Sequence, residues 1–132
     1  LAIRLEHECA HYFCRRVYGS MHNHLRDELV ADYAGIVAAE GNFRSDWFLK
    51  FMGLNEAGEY DGEGRMKIYR GELDDDCLGI MGRILVAAAQ RLQDADSRLE
   101  ARTQPRPSEL VALSDHWLEE LADSQAPLIQ LG

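Results

Sequence analysis

At 132 residues the chain has the length of one domain, and 46% hydrophobic residues suffice for one core. Its net charge of −9, with twelve arginines but only Lys50 and Lys67 as lysines, argues against nucleic acid or an anionic membrane as the main partner. Three cysteines, Cys9, Cys14 and Cys77, are too few for a dense disulfide framework, so the expected compartment is reducing and cytoplasmic.

Residues 2–18 read as a helix, with Leu5, Cys9, Tyr12, Phe13 and Val17 at three-to-four spacing, stopped by Gly19-Ser20. Asn23 can cap a second helix over 24–40, with Gly41 as its stop. Leu25, Leu29, Ile36 and Val37 give that helix an apolar side. Glu28, Asp32, Gly35 and Ala39 run down an adjacent stripe, where small residues would admit another helix. Ser45 can cap a short helix over 46–52, whose aromatics Trp47, Phe48 and Phe51 read as core.

Residues 53–76 change character. Glycines and acids (Glu56, Glu59, Asp61, Glu63, Glu72, Asp74, Asp75, Asp76) predict a long loop, with room for a short strand at 66–69. The acid spacing does not fit an EF-hand. Asp74–Asp76 suit the start of a long helix over 77–102, burying Leu78, Met81, Leu85, Leu92 and Leu99. Pro105 and Pro107 break the chain. Ser108 then caps a last helix to about 122, with Leu110, Leu113, Trp117, Leu118 and Leu121 inward and a loosely held tail after Ser124.

The expectation is a mainly α fold, about five helices in one domain over 1–132 with little or no sheet. Residues 1–41 would form a metal-site helix pair, 53–76 an acidic glycine-rich loop and 77–123 the helical remainder. No stretch is apolar for long enough to span a bilayer. The opening on Leu1 without a methionine reads as a fragment or processed form.

His7-Glu8-Cys9-Ala10-His11 is an HExxH motif. Residues four apart share a helix face, so His7 and His11 can aim two imidazoles at one metal ion while Glu8 lies beside them. Glu28 on the second helix can supply a third ligand. Asp32, one turn on, can orient a ligating imidazole. Two histidines and a carboxylate leave a fourth position for water, the mark of a catalytic zinc site. Zinc lowers the pKa of that water, and Glu8 can complete its deprotonation for attack on an amide carbonyl.

HExxH followed by Asp27-Glu28-Leu29-Val30-Ala31-Asp32 resembles the gluzincins, the thermolysin-like zinc metallopeptidases, whose second helix reads Asn-Glu-x-x-Ser-Asp. The likeness covers about residues 1–36. It implies zinc as cofactor, His7, His11 and Glu28 as ligands, Glu8 as general base, Asp32 as partner of a ligand histidine, and a peptide or amide substrate. Gluzincins place a sheet before the HExxH helix, whereas this chain begins at the helix itself.

Other readings stay open. His24 or His22 can replace Glu28 or stabilise an oxyanion, and Cys14, three residues after His11, can complete a His-His-Cys site. A non-catalytic helical metal-binding or interaction domain is the alternative to a hydrolase. Glu8-Cys9-Ala10-His11 also fits one half of a di-iron bundle, but that needs a second Glu-x-x-His, which the sequence lacks.

Overall fold

The computed structural model describes residues 3–7, 9–10, 24–70, 73–127 and 129–131, and only the backbone of His24. The described residues form no extended strand; one isolated antiparallel bridge joins Leu54 and Tyr60. Residues 3–7 and 9–10 are helical and are labelled α1. Then come α2 (His24–Glu40), α3 (Ser45–Met52), α4 (Met66–Arg70), α5 (Asp75–Asp96), α6 (Pro107–Ser114) and α7 (Leu118–Ala122). The protein is mainly α, as expected, and none of the described helices is long and apolar enough to cross a membrane.

α2 is the central element. Every residue from 29 to 37 is buried, so the helix is covered all round rather than along one apolar side. α3 and α6 pack against it, and α5 packs against α3 and α7. Gly35 admits α1: a Cβ there would lie 2.6 Å from the Ile3 carbonyl oxygen. The small-residue stripe on α2 therefore receives another helix, as its sequence predicts.

The loop after α3 is tightly built, and it matters because it leads into the site. Gly53 (φ +81°) ends α3 in the left-handed conformation. Gly64 (φ +77°) lies so close that a Cβ on it would meet the Gly53 nitrogen at 2.5 Å. The Asp61 amide donates to the Gly53 carbonyl (2.9 Å) and the Arg65 amide to the Phe51 carbonyl (3.0 Å), pinning the loop's return to the end of α3. Residues 66–70 then form α4, not a strand. Arg65 and Gly64 carbonyls accept from Ile68 and Lys67 in local turns that leave no edge for a strand partner.

The predicted long helix starts slightly earlier and ends sooner. Asp74 caps α5 by accepting from the Cys77 amide (2.8 Å). Its end at Asp96 follows from a buried polar knot. Asp96 Oδ2 accepts from the Phe43 amide (2.7 Å) and Asn42 Nδ2 (3.2 Å), and Asp96 Oδ1 from Arg102 Nη2 (2.6 Å). Arg102 Nη2 also donates to Glu109 Oε2 (2.9 Å). The Tyr33 hydroxyl lies 2.7 Å from Asp96 Oδ1 and 3.1 Å from Glu109 Oε2. Burial, then the Asp96 charge, pushes the Tyr33 hydroxyl well above its ordinary pKa, so it stays a donor.

The predicted last helix is two. Trp117 sits at the break, 54% exposed rather than inward, with the Arg26 guanidinium 5.8 Å from its ring centroid. The tail is anchored instead of loose: Arg91 Nη2 donates to the Ala126 and Pro127 carbonyls, and Leu131 is buried.

Two glycines of α5 make opposite predictions. A Cβ at Gly82 would fall 2.0 Å from the Gly58 carbonyl oxygen, whereas at Gly79 it would meet only Arg83 Nη1 at 3.5 Å. Gly79→Ala is expected to gain about 0.5–1 kcal/mol from helix propensity. Gly82→Ala is expected to lose about 1–3 kcal/mol to overpacking against the 55–60 turn. Urea unfolding of both variants checks the contrast, and a stabilised Gly82→Ala would refute the close approach.

Candidate metal centre

α1 and α2 bring His7, Glu28 and Asp32 together. One donor atom from each lies within 4.8 Å of the other two. Glu28 and Asp32 are one turn apart on α2, and Gly35, one further turn along, lets α1 come close enough for His7 to reach them. His7 Nδ1 is 2.9 Å from Asp32 Oδ1, and His7 Nε2 is 3.7 Å from Glu28 Oε2. A carboxylate only accepts, so Nδ1 donates to Asp32; in a neutral imidazole held this way the Nε2 lone pair would face Glu28. That is the orientation in which a carboxylate fixes the tautomer of a ligating histidine.

Two of these donors stand near the spacing that a zinc ion would require. Nitrogen and oxygen ligands at about 2.0–2.2 Å from a tetrahedral zinc stand about 3.3–3.6 Å from each other. The His7–Glu28 separation is close to that edge. Asp32 is engaged with Nδ1 and 1% exposed, the position of a supporting carboxylate rather than of a third ligand. Glu8, His11, Cys14 and His22, and the side chain of His24, lie outside the described residues.

Two residues that the sequence did not single out complete the centre. Arg65 Nη1 donates to Glu28 Oε2 (2.5 Å), and Arg65 Nη2 donates to Asp32 Oδ1 (2.8 Å) and lies 2.7 Å from Oδ2. The Tyr69 hydroxyl donates to Glu28 Oε1 (2.9 Å). Arg65 comes from the turn into α4 that the Gly53–Gly64 contact holds, and Tyr69 from α4 itself. Burial alone would raise the Glu28 pKa. The hydrogen bonds from Tyr69 and Arg65, with the charges of Arg65 and His7, outweigh it and hold Glu28 below the ordinary carboxylate range. Burial and the bond to Glu28 push the Tyr69 hydroxyl up.

A cavity of about 400 Å³ opens beside these groups, lined by Ile3, Arg4, His7, Glu28, Asp32, Phe51 and Arg65. Phe51, expected in the core, is only half-buried: it forms an apolar wall here, with the Arg65 guanidinium 5.6 Å from its ring centroid. The arrangement can hold a cation between His7 and Glu28, beside a partly apolar pocket large enough for one small side chain or its equivalent.

The chain matches DUF7005, a family of unknown function, over residues 1–125, and belongs to that family. No curated protein and no solved structure matches it.

Proposed function

We propose that this domain is a zinc-dependent hydrolase, most simply a gluzincin-like metallopeptidase acting on a peptide or amide bond. One observation carries the reading: His7 is fixed through Nδ1 by Asp32 while its Nε2 faces Glu28 Oε2 at 3.7 Å. A histidine on HExxH, a glutamate on the next helix and an aspartate one turn on stand in the relation that a two-helix zinc site needs. His7, His11 and Glu28 would hold the ion, which when bound supplies a Lewis acid and a more acidic water.

The chain's own residues would do the rest. Glu8, beside the ligands in HExxH, takes the proton of the attacking water and passes it to the leaving amine. Asp32 keeps the His7 lone pair aimed. Tyr69 holds Glu28 from the side away from Arg65. Ile3 and Phe51 exclude water from part of the pocket where the substrate would lie.

A second reading, a non-catalytic helical domain, draws support from Arg65, which already neutralises Glu28 and Asp32. Bound zinc per chain, measured by elemental analysis after dialysis against limiting zinc, separates the two. The hydrolase reading expects about one zinc in the wild type and a loss of at least tenfold in affinity for Glu28→Ala. A folded wild type that takes up no zinc even at saturating zinc would leave only the second reading.

A further inference from the structure

We propose that Arg65 is a tethered cation that occupies the carboxylate side of the zinc site and has to leave Glu28 before the ion can bind, so that the protein's own guanidinium limits its metal affinity. This rests on the zinc reading above and adds a regulatory residue to it.

The geometry makes the competition specific. The Glu28 oxygen facing His7 Nε2 is Oε2, and the same Oε2 accepts from Arg65 Nη1 at 2.5 Å. The other oxygen, Oε1, is engaged by Tyr69. An ion seated between His7 and Glu28 would therefore bind the oxygen that Arg65 holds, with a guanidinium charge next to a divalent one. Water could not screen this repulsion fully, because Asp32 is 1% exposed and Glu28 13%.

The backbone cannot retreat to relieve it. Arg65 N donates to the Phe51 carbonyl, and the preceding Gly64 is packed against Gly53. The side chain can move, since it is 28% exposed and borders the cavity of about 400 Å³. Phe51 offers its ring face along that wall. Displacement would leave Arg65 at the edge of the substrate pocket while Asp32 keeps its bond to His7.

Without an ion the same contacts serve the fold. Two carboxylates one turn apart on a buried helix repel each other, and a planar guanidinium bridging both removes that repulsion. The carboxylate pair is thus compensated in part by the single charge of Arg65 in one state and would be matched by a divalent ion in the other.

The test is zinc affinity, read by competition with a chromophoric chelator, for wild type, Arg65→Gln, Arg65→Lys and Glu28→Ala. Arg65→Gln is expected to bind zinc at least ten times more tightly than wild type, and Arg65→Lys, which keeps a charge but cannot bridge both carboxylates, to fall between them. Unchanged or weaker affinity in folded Arg65→Gln overturns the proposal while leaving the zinc site standing. If Arg65→Gln does not fold, Arg65→Lys decides by the same criterion. A nitrogen-resolved NMR spectrum of the wild type adds a readout without mutation: zinc should shift the Arg65 side-chain resonance, and an unmoved resonance at saturating zinc overturns displacement. No zinc binding by wild type or any variant overturns both this proposal and the zinc reading.

Discussion

Replacing Arg102 with methionine is expected to lower the unfolding free energy by about 3–5 kcal/mol. Asp96 and Glu109 are both 0% exposed, and Arg102 is the cation that bridges them, reaching Asp96 at 2.6 Å and Glu109 at 2.9 Å. Methionine would fill much of the volume and remove the charge. Two carboxylates would then face each other across the Tyr33 hydroxyl with one proton to share. Tyr33 cannot relieve them, because burial and the Asp96 charge keep its hydroxyl neutral and it has one proton to donate. Domains of this kind are stable by only about 5–15 kcal/mol, so the variant should melt far earlier or fail to accumulate.

Urea unfolding of Arg102→Met and of the triple replacement that adds Asp96→Asn and Glu109→Gln to it decides what the knot contributes. Removing both acids as well as the arginine's charge should recover part of the loss, since the penalty lies in orphaned charge rather than in missing attraction. A loss under about 1 kcal/mol in Arg102→Met would mean that the buried carboxylates do not depend on Arg102 for their compensation.

This knot was invisible in the sequence, and the reason is physical. Asp96, Arg102 and Glu109 are residue types that normally face water, and the helical pattern over 77–102 gave no cause to stop at Asp96. The chain ends the helix there because the Asp96 carboxylate caps the Asn42–Phe43 turn from α2 into α3. Trp117 fails for the opposite reason: its apolar ring was read as core, but stacking under Arg26 holds it at the surface. α4 was misread because four residues are too few to separate a helical from a strand period.

The candidate metal centre divides along the same line. His7, Glu28 and Asp32 were legible because their spacing lies within two helices, and local periodicity predicts which residues share a face. The closeness of the helices was legible from Gly35. Arg65 was not, being one of twelve arginines, in a glycine-rich loop whose path depends on the Gly53–Gly64 contact. Tyr69 follows from Arg65, one turn along α4. Long-range partners delivered by a loop leave no periodic trace, which is why Arg65 and Tyr69 emerge only from the fold.

Glu8→Gln is expected to abolish hydrolysis, by about 10²–10⁴-fold in kcat, while leaving zinc affinity within a few-fold of wild type. Glutamine keeps the size and a hydrogen-bonding side chain but cannot accept the proton of the attacking water at neutral pH. His7 is held by Asp32 and Glu28 by Tyr69. The two readouts are therefore separable. Zinc-loaded wild type and Glu8→Gln would be compared on a mixture of fluorogenic peptides, with Arg65→Gln alongside to raise occupancy if the wild type loads poorly. Activity in both at equal rates would remove Glu8 as general base. Loss of zinc together with activity would instead make Glu8 part of the ligand set, and the proton would then have to pass through another group at the pocket.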